Sequence, residues 1–358
     1  MNPAHNPYQL PPNLPVPADD GRADHLLYAP PSDCQLLTSA GAPVRLRELC
    51  SGPTVLFFYP RTGVPGEPPD LGFQGEDWDS IPGARGCTPQ SCAFRDLARE
   101  FTALGVGVFG VSTNPVAHIR EFKARNHIPF ELLSDSDLSL VRGMRLPTFN
   151  FPVRGEGPTT HICRMAWFVE DGIIKRLWYP VFPPDQNAPR VLAWLTLRAA
   201  LAVRAARADD HAFVTEQLRA HWGGHDIWSR DARFDASKLP AFIAETNGAP
   251  AGLVTYHIGR DECEIVTLSS VSSGRGAGER LLHAVVGEAA RAGCRRAFLT
   301  TSNDNLNAVR FYQRRGMRLV SIHPGAIDRA RERTGCGPWV GASGIRSRDE
   351  WEFELLLT

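Results

Sequence analysis

The sequence predicts an α/β protein built as two domains. Its length, 358 residues, exceeds one ordinary domain. Short runs rich in β-branched and aromatic residues alternate with segments whose apolar residues recur every three or four positions, in both halves of the chain. Alternating strands and amphipathic helices form layered α/β folds. No period links the halves, so the second is not a copy of the first.

Residues 1–30 are Pro-rich and are expected to be poorly ordered. Leu36-Leu37 and Val44-Arg45-Leu46 flank Ala40-Gly41 as a short hairpin. Thr54 to Tyr59 is a continuous β-rich run ended by Pro60, the pattern of a strand covered on both faces. The insertion between Arg61 and Arg85 is rich in Gly, Pro and acidic residues and reads as a long loop. A helix then starts at Cys87. Phe94, Leu97, Ala98, Phe101 and Leu104 share one face, Pro89 sits in the first turn, and Gly105 caps the end. Val106 to Val111 is a second buried strand. Asn114-Pro115 opens a helix with Val116, Ile119 and Phe122 on one face. Thr160 to Val169 and Ile173 to Val181 make a hairpin about Asp171-Gly172, and Ala188 to Leu197 is helical. This order of strand, helix, strand, helix, strand, strand, helix is that of a thioredoxin-like fold.

A new pattern begins near Leu201, with a strand to Ala205 and a helix across Phe213, Val214 and Leu218. Phe242 to Glu245, Gly252 to Ile258 and Glu262 to Leu268 follow as strands. Ser272 to Gly278 is a Gly-rich loop opening a helix with Leu281, Leu282, Val285 and Ala289 inside. Arg296 to Thr300 is a strand, Leu306 to Arg315 a helix, and Leu319 to Ile322 and Trp351 to Leu357 are strands. The expected boundaries are a disordered 1–30, a first domain 31–197 and a second 201–358.

Composition narrows the function. The formal net charge of +0 gives no general attraction to nucleic acid or to an anionic membrane surface. No apolar run approaches the ~20 residues of a membrane span. The first residues lack the basic start and apolar core of a signal peptide. Eight scattered cysteines do not form a disulfide framework. The expectation is a cytoplasmic protein in which a close cysteine pair is catalytic. No second close pair offers zinc spacing, so no metal is expected.

That pair lies in Gly86-Cys87-Thr88-Pro89-Gln90-Ser91-Cys92-Ala93-Phe94-Arg95-Asp96. At a helix N-terminus, unpaired N–H groups and the dipole favour an anion, which for cysteine is the nucleophilic thiolate. The stretch resembles the active site of the peroxiredoxins, most closely the Q-type or bacterioferritin comigratory branch, with motif Gly-Cys-Thr-x-x-x-Cys-x-Phe-Arg-Asp. The resemblance covers roughly residues 30 to 197. It implies that Cys87 is the peroxidatic cysteine, Cys92 the resolving one, and Arg164 the cation beside the thiolate. It also implies a hydroperoxide substrate, a thioredoxin- or glutaredoxin-like reductant, and no cofactor for this domain. One position departs: the family threonine three residues before the nucleophile is Ala84 here. Thr62, ahead of the insertion, is the candidate to supply that hydroxyl, with Thr88 and backbone N–H groups as the alternative.

In the second half, glycines in the 273–278 loop let N–H groups approach a phosphate at a helix N-terminus. With Asn305, Ala308, Tyr312 and Gly316 downstream, the segment resembles the GNAT acetyltransferases, and the resemblance covers about 201 to 358. It implies a GNAT acyl-CoA N-acyltransferase fold and acetyl-CoA bound at Ser273, Gly274, Arg275, Gly276, Ala277 and Gly278, with Asn305 in the second motif. Leu268 is implied to offer backbone to the pantetheine arm. Tyr312 is implied as general acid, the alternative being a core aromatic. Glu264 is a candidate general base, the alternative being a solvent-facing strand residue. The amine acceptor is unknown. Three readings remain open: a bifunctional peroxidase and acetyltransferase, an acetyltransferase under redox control, and a non-catalytic redox or binding module.

Overall fold

The computed structural model describes residues 8–62, 78–152, 158–271, 276–335, 339–341 and 344–357. The chain divides into two compact units, Met1–Thr196 and Leu197–Thr358.

The first unit opens with the hairpin β1 (Gln35–Thr38) and β2 (Pro43–Arg45), then the single turn α1 (Leu46–Leu49) and β3 (Thr54–Phe58). After the insertion come α2 (Cys87–Asp96), α3 (Ala98–Ala103), β4 (Gly107–Ser112) and α4 (Val116–Arg125). β5 (Leu132–Ser134), α5 (Ser139–Met144) and the pair β6 (Thr148–Pro152) and β7 (Pro158–Ile162) follow. β8 (Met165–Glu170), β9 (Ile173–Trp178) and α6 (Asn187–Ala199) close it. The main sheet runs β2-β1-β5-β4-β3-β8-β9. Its centre, β3 between parallel β4 and antiparallel β8, is covered on both faces, so every residue of β3 is buried. Leu56 and Phe58 join Trp167 and Ile174 on one face, whereas Val55 and Phe57 join Phe94, Phe122 and Val191 on the other.

Three expectations are corrected, and one strand was not foreseen. The stretch from Cys87 to Leu104 is two helices that bend at Leu97, which keeps Phe94 and Phe101 in ring contact at 5.6 Å. The strand expected from Thr160 to Val169 breaks at Cys163 and Arg164, because β7 pairs with β6 while β8 belongs to the main sheet. Residues 8–30 are laid against the core rather than loose. Leu26 is fully buried, and Tyr28 and Ala29 exchange backbone hydrogen bonds with Ile174. β5, three residues long, carries too little pattern to be seen in the sequence.

The second unit runs β10 (Leu201–Ala205), α7 (His211–Trp222), and the hairpin β11 (Asp226–Ser229) and β12 (Ala232–Asp235). Then come β13 (Ala241–Thr246), β14 (Ala249–Ile258), β15 (Glu262–Ser270), α8 (Ala277–Arg291) and β16 (Arg296–Ser302). α9 (Leu306–Gln313), β17 (Arg318–His323), α10 (Ala326–Thr334) and β18 (Glu350–Leu356) end the unit. Its sheet order is β10-β13-β14-β15-β16-β18-β17. α8 buries Leu281, Leu282 and Val285 against one face, and α7 buries Val214 and Leu218 in a separate cluster with Ile243 and Leu253. The β11–β12 hairpin and α10 were not foreseen. Neither shows a sustained apolar stripe in sequence.

Gly110 tests the tight fit of the first sheet. A Cβ there would lie 2.6 Å from Phe57 Cζ and 2.7 Å from Leu132 Cδ2, both on fully buried side chains. Gly110→Ala should cost the first unit about 1–3 kcal/mol. A calorimetric scan of the full chain should show that unit's transition move down while the second unit's stays. A scan that matches the parent would mean this strand has slack.

Candidate functional site

α2 begins at Cys87, and the residue before it decides how. Gly86 caps the helix at φ 102, a conformation that side chains resist. A Cβ there would also sit 2.9 Å from Leu10 and closer still to Pro184. Cys87 is thereby placed in the first turn, buried to 3% exposure, in the apolar cluster of Phe57, Tyr59 and Phe94.

Arg164 reaches this sulfur from the break between β7 and β8. Its Nη2 donates to Cys87 Sγ at 3.2 Å, to Ala84 O at 2.9 Å and to Arg85 O at 3.1 Å. Nε donates to Gly83 O at 3.3 Å, and Nη1 donates to Gln90 Oε1. Gln90, fully buried on α2, donates in turn to Asn187 Oδ1 at 2.9 Å, at the start of α6. Arg164 is 3% exposed, and among the described residues no carboxylate stands within ion-pair distance of it. The carbonyls around it are dipoles. Sγ of Cys87 is the atom in this shell able to carry a full negative charge.

Cys92 lies farther along α2, half-buried, with Sγ 3.8 Å from Asn126 Oδ1, and burial pushes its thiol up. Both cysteines are free thiols, and i and i+5 positions on a helix lie about 140° apart around its axis. Thr62 is buried, and its Oγ1 shares a 2.8 Å hydrogen bond with Nε2 of His118, which also lies 2.9 Å from the Thr62 carbonyl. Among the described residues Thr62 makes no hydrogen bond to Cys87 Sγ. Its hydroxyl is committed to α4, so it does not fill the place expected for it. Cys34 and Cys50 have their thiols pushed up by burial, to about 11 and about 12.

In the second unit the decisive geometry is a gap. β15 and β16 run parallel for three residue pairs, Glu262 with Arg296, Cys263 with Ala297 and Glu264 with Phe298, and pair no further. A bulge in β15 between its partners for Thr255 and Tyr256 twists the strand there. Leu268 lies beyond the last pair, where its backbone borders the gap. Gly276 caps α8 at φ 86, with the Arg198 guanidinium standing where a Cβ would be. Gly278 faces Phe311, and a Cβ there would lie 3.3 Å from Phe311 Cζ. Ala277 and Gly278 occupy the first turn of α8, whose N–H groups have no partner within the helix. Ser273, Gly274 and Arg275 lie outside the described residues.

Tyr312 on α9 is 8% exposed, against Phe311 and Phe353, and burial pushes its hydroxyl up. Asn305 caps α9, its Oδ1 accepting from Ala308 N at 3.2 Å. Its own N–H donates to Ser302 O at the end of β16, at 3.0 Å. Glu264 is 5% exposed, so the solvent-facing alternative does not hold. Burial pushes its carboxyl up. Oε2 accepts from Arg230 Nη2 at 3.2 Å, and Oε1 makes no hydrogen bond.

Residues 27–192 match the Redoxin family, and residues 207–317 match the Acetyltransferase (GNAT) family. The chain joins a redoxin domain to a GNAT acetyltransferase domain. Both are families of enzymes. A stretch of 145 residues is 35% identical to the uncharacterized protein YdhI of Bacillus subtilis, covering 40% of this chain and 91% of that protein. Another of 152 residues is 27% identical to chloroplastic peroxiredoxin Q of Oryza sativa subsp. japonica, covering 42% of this chain and 58% of that one. The crystal structure of peroxidoxin BcpB from Mycobacterium tuberculosis matches at 27% identity with a TM-score of 0.37, over 47% of this chain and 95% of that chain. Among the described residues no helix is long and apolar enough to cross a membrane.

Sequence reading missed Gln90 and Asn187 in the redoxin domain, and Arg230 in the GNAT domain. Gln90 occupies an unspecified motif position, so only the fold reveals its bond to Arg164. Arg230 sits in the turn of the unforeseen β11–β12 hairpin.

Arg164→Lys keeps the charge but cannot reach Gln90, the 83–85 carbonyls and Sγ together. Oxidation of Cys87 by peroxide, followed by stopped-flow fluorescence, should slow roughly 10²-fold. An unchanged rate would show that the planar guanidinium is not what the sulfur requires.

Proposed function

We propose that the protein is bifunctional: a thiol peroxidase acting through Cys87, and an acetyl-CoA-dependent N-acetyltransferase. The observation that carries the first activity is Arg164, buried without a carboxylate and 3.2 Å from Sγ of Cys87. A Cys87 thiolate neutralises that guanidinium. It attacks the outer oxygen of a hydroperoxide, the O–O bond breaks, and the leaving oxygen departs as water or alcohol, leaving a sulfenic acid on Cys87. Arg164 and the first-turn N–H groups are placed to bind the polarised oxygens. Attack by the Cys92 thiolate then forms the Cys87–Cys92 disulfide and expels hydroxide, protonated to water. Disulfide bonding needs Cα atoms within ~7 Å and converging Cβ vectors. The first turn of α2 therefore unwinds at this step. A dithiol reductant of thioredoxin or glutaredoxin type restores both thiols by exchange.

In the GNAT domain the β15–β16 gap and the Gly276–Gly278 turn suit a thioester carrier with a pyrophosphate. Acetyl-CoA, when bound, supplies the acetyl group for transfer to an amine. Gly276, Ala277 and Gly278 would hold its phosphates through first-turn N–H groups, and Leu268 would border the pantetheine arm. Tyr312 keeps its proton at neutral pH and can give it to a leaving thiolate. Glu264, with one oxygen free of hydrogen bonds, is the base that takes a proton from the acceptor.

For the peroxidase, Cys87→Ser should abolish peroxide consumption by the full chain with a thioredoxin system. Cys92→Ser should retain one turnover and stop, with no intramolecular disulfide by peptide mass spectrometry. Sustained turnover in Cys87→Ser would end this reading.

Glu264 gives a pH test for the transferase. Its carboxyl is raised by burial, so its basic form is lost at higher pH than in an exposed glutamate. The acetyl-transfer rate should decline as pH falls through that raised value. Glu264→Gln should remove this acid limb and cost roughly 10²–10⁴-fold in kcat. The same limb persisting in the Gln variant would assign the base elsewhere.

A further inference from the structure

The GNAT domain holds a cavity of about 710 Å³, bordered by Trp222, His225, Trp228, Arg331, Arg333 and Glu350, and Arg230 links Glu350 to Glu264. Its size is that of a small-molecule site. The charges on this sheet face explain what it is shaped for. Glu262, Glu352 and Glu354 are matched by Arg296, at 2.7, 3.0 and 3.1 Å. His323 and Arg230 add two more partners to Glu352, at 2.9 and 3.8 Å. Glu350 is different. It is 3% exposed, its Oε2 accepts only the backbone N–H of Arg230 at 2.9 Å, and among the described residues it has no ion pair.

Burial pushes the Glu350 carboxyl up, His323 across the strand pair counters this in part, and a bound ammonium would hold the group ionised. The turn that brings Arg230 to it is itself strained. Arg230 and Asp231 both take positive φ, 49° and 64°, with no glycine. Arg230 spends its side chain on Glu264, at 3.2 Å, and over the Phe298 ring, at 4.1 Å. One turn thus ties the cavity floor to the candidate base. The opposite wall is cationic: Asp231 is shared by Arg329 and Arg333, and Asp328 by Arg331 and Arg346. Arg333 lies over the Trp228 ring at 4.7 Å, at the cavity's edge.

We infer that this cavity takes the acyl acceptor, and that the acceptor is a small amino acid with an apolar or aromatic side chain. This rests on the acetyltransferase reading above. The ammonium lies against Glu350, the carboxylate against Arg333, and the side chain between Trp222 and Trp228. An amide bond forms at the acceptor nitrogen as the thioester bond breaks. The ammonium loses two protons; one is balanced by the proton Tyr312 gives the thiol, and the other leaves by way of Glu264.

The test uses the full chain with L-phenylalanine, phenethylamine, which lacks the carboxylate, and spermidine. Transfer from acetyl-CoA, read by mass spectrometry of the product, should favour L-phenylalanine over phenethylamine by at least ~10-fold in kcat/KM. Arg333→Gln, on the exposed wall, should erase that preference. Glu350→Gln should raise KM for the amino acid with the affinity for acetyl-CoA unchanged, its fold checked by melting. Calorimetry with L-phenylalanine alone should give heat that Glu350→Gln removes. Equal or better use of phenethylamine or spermidine, or acetyl-CoA binding with no amino-acid binding, overturns the inference. Amino-acid heat without acetyl-CoA heat upholds the cavity's chemistry and contradicts the acetyltransferase reading instead.

Discussion

The redoxin domain is arranged around one buried cation without a carboxylate. Leaving a guanidinium in a protein interior costs several kcal/mol unless it is paired and fully hydrogen-bonded. Arg164 is hydrogen-bonded by Gly83, Ala84, Arg85 and Gln90, and the remaining acceptor is Cys87 Sγ. Each local irregularity of the domain serves that shell. The strand breaks at Cys163 and Arg164 so that the side chain leaves the sheet. Gly86 takes φ 102 so that the helix can start directly beneath it. Gln90 is held from behind by Asn187, which ties the shell to α6. The two-faced core holds this arrangement, and Cys87 Sγ completes the shell at 3.2 Å.

The GNAT domain handles buried charge with the opposite sign. Its sheet face carries five glutamates, Glu262, Glu264, Glu350, Glu352 and Glu354, around the half-buried Arg230 and Arg296. Among the described residues Glu350 has no ion pair, and Glu264, paired with Arg230 through one oxygen, leaves the other without a hydrogen bond. A gap between strands is expensive for a sheet, because backbone groups lose their ladder partners. The bulge in β15 and the strained Arg230-Asp231 turn are further local costs in the same region. Such costs persist where the surrounding structure over-determines them, and they cluster at working sites.

Much of this was legible in the sequence, and the parts that were not have physical reasons. The runs Thr54 to Tyr59 and Leu281 to Ala289 announce their elements because their apolar periods are unbroken. Cys87, Arg164 and Tyr312 could be picked out because their neighbours form recognisable motifs, and the structure brings Arg164 to Cys87 as expected. Thr62 could not be placed, since the partner of a hydroxyl depends on which helix packs over it, and His118 is far away in sequence. Leu26 was hidden by the prolines around it, although it is fully buried. Glu350 and Arg230 carry no local signal: their meaning arises only when a hairpin turn and a terminal strand meet.

The central claim is that Arg164 singles out one sulfur among eight cysteines. The most direct measurement is to give the reduced full chain less than one equivalent of peroxide, trap sulfenic acid at once with a dimedone-type reagent, and map the adduct by peptide mass spectrometry. The account predicts the adduct on Cys87, with Cys34, Cys50 and Cys163 unmodified. Adduct spread across the cysteines, or concentrated on any residue other than Cys87, would contradict it.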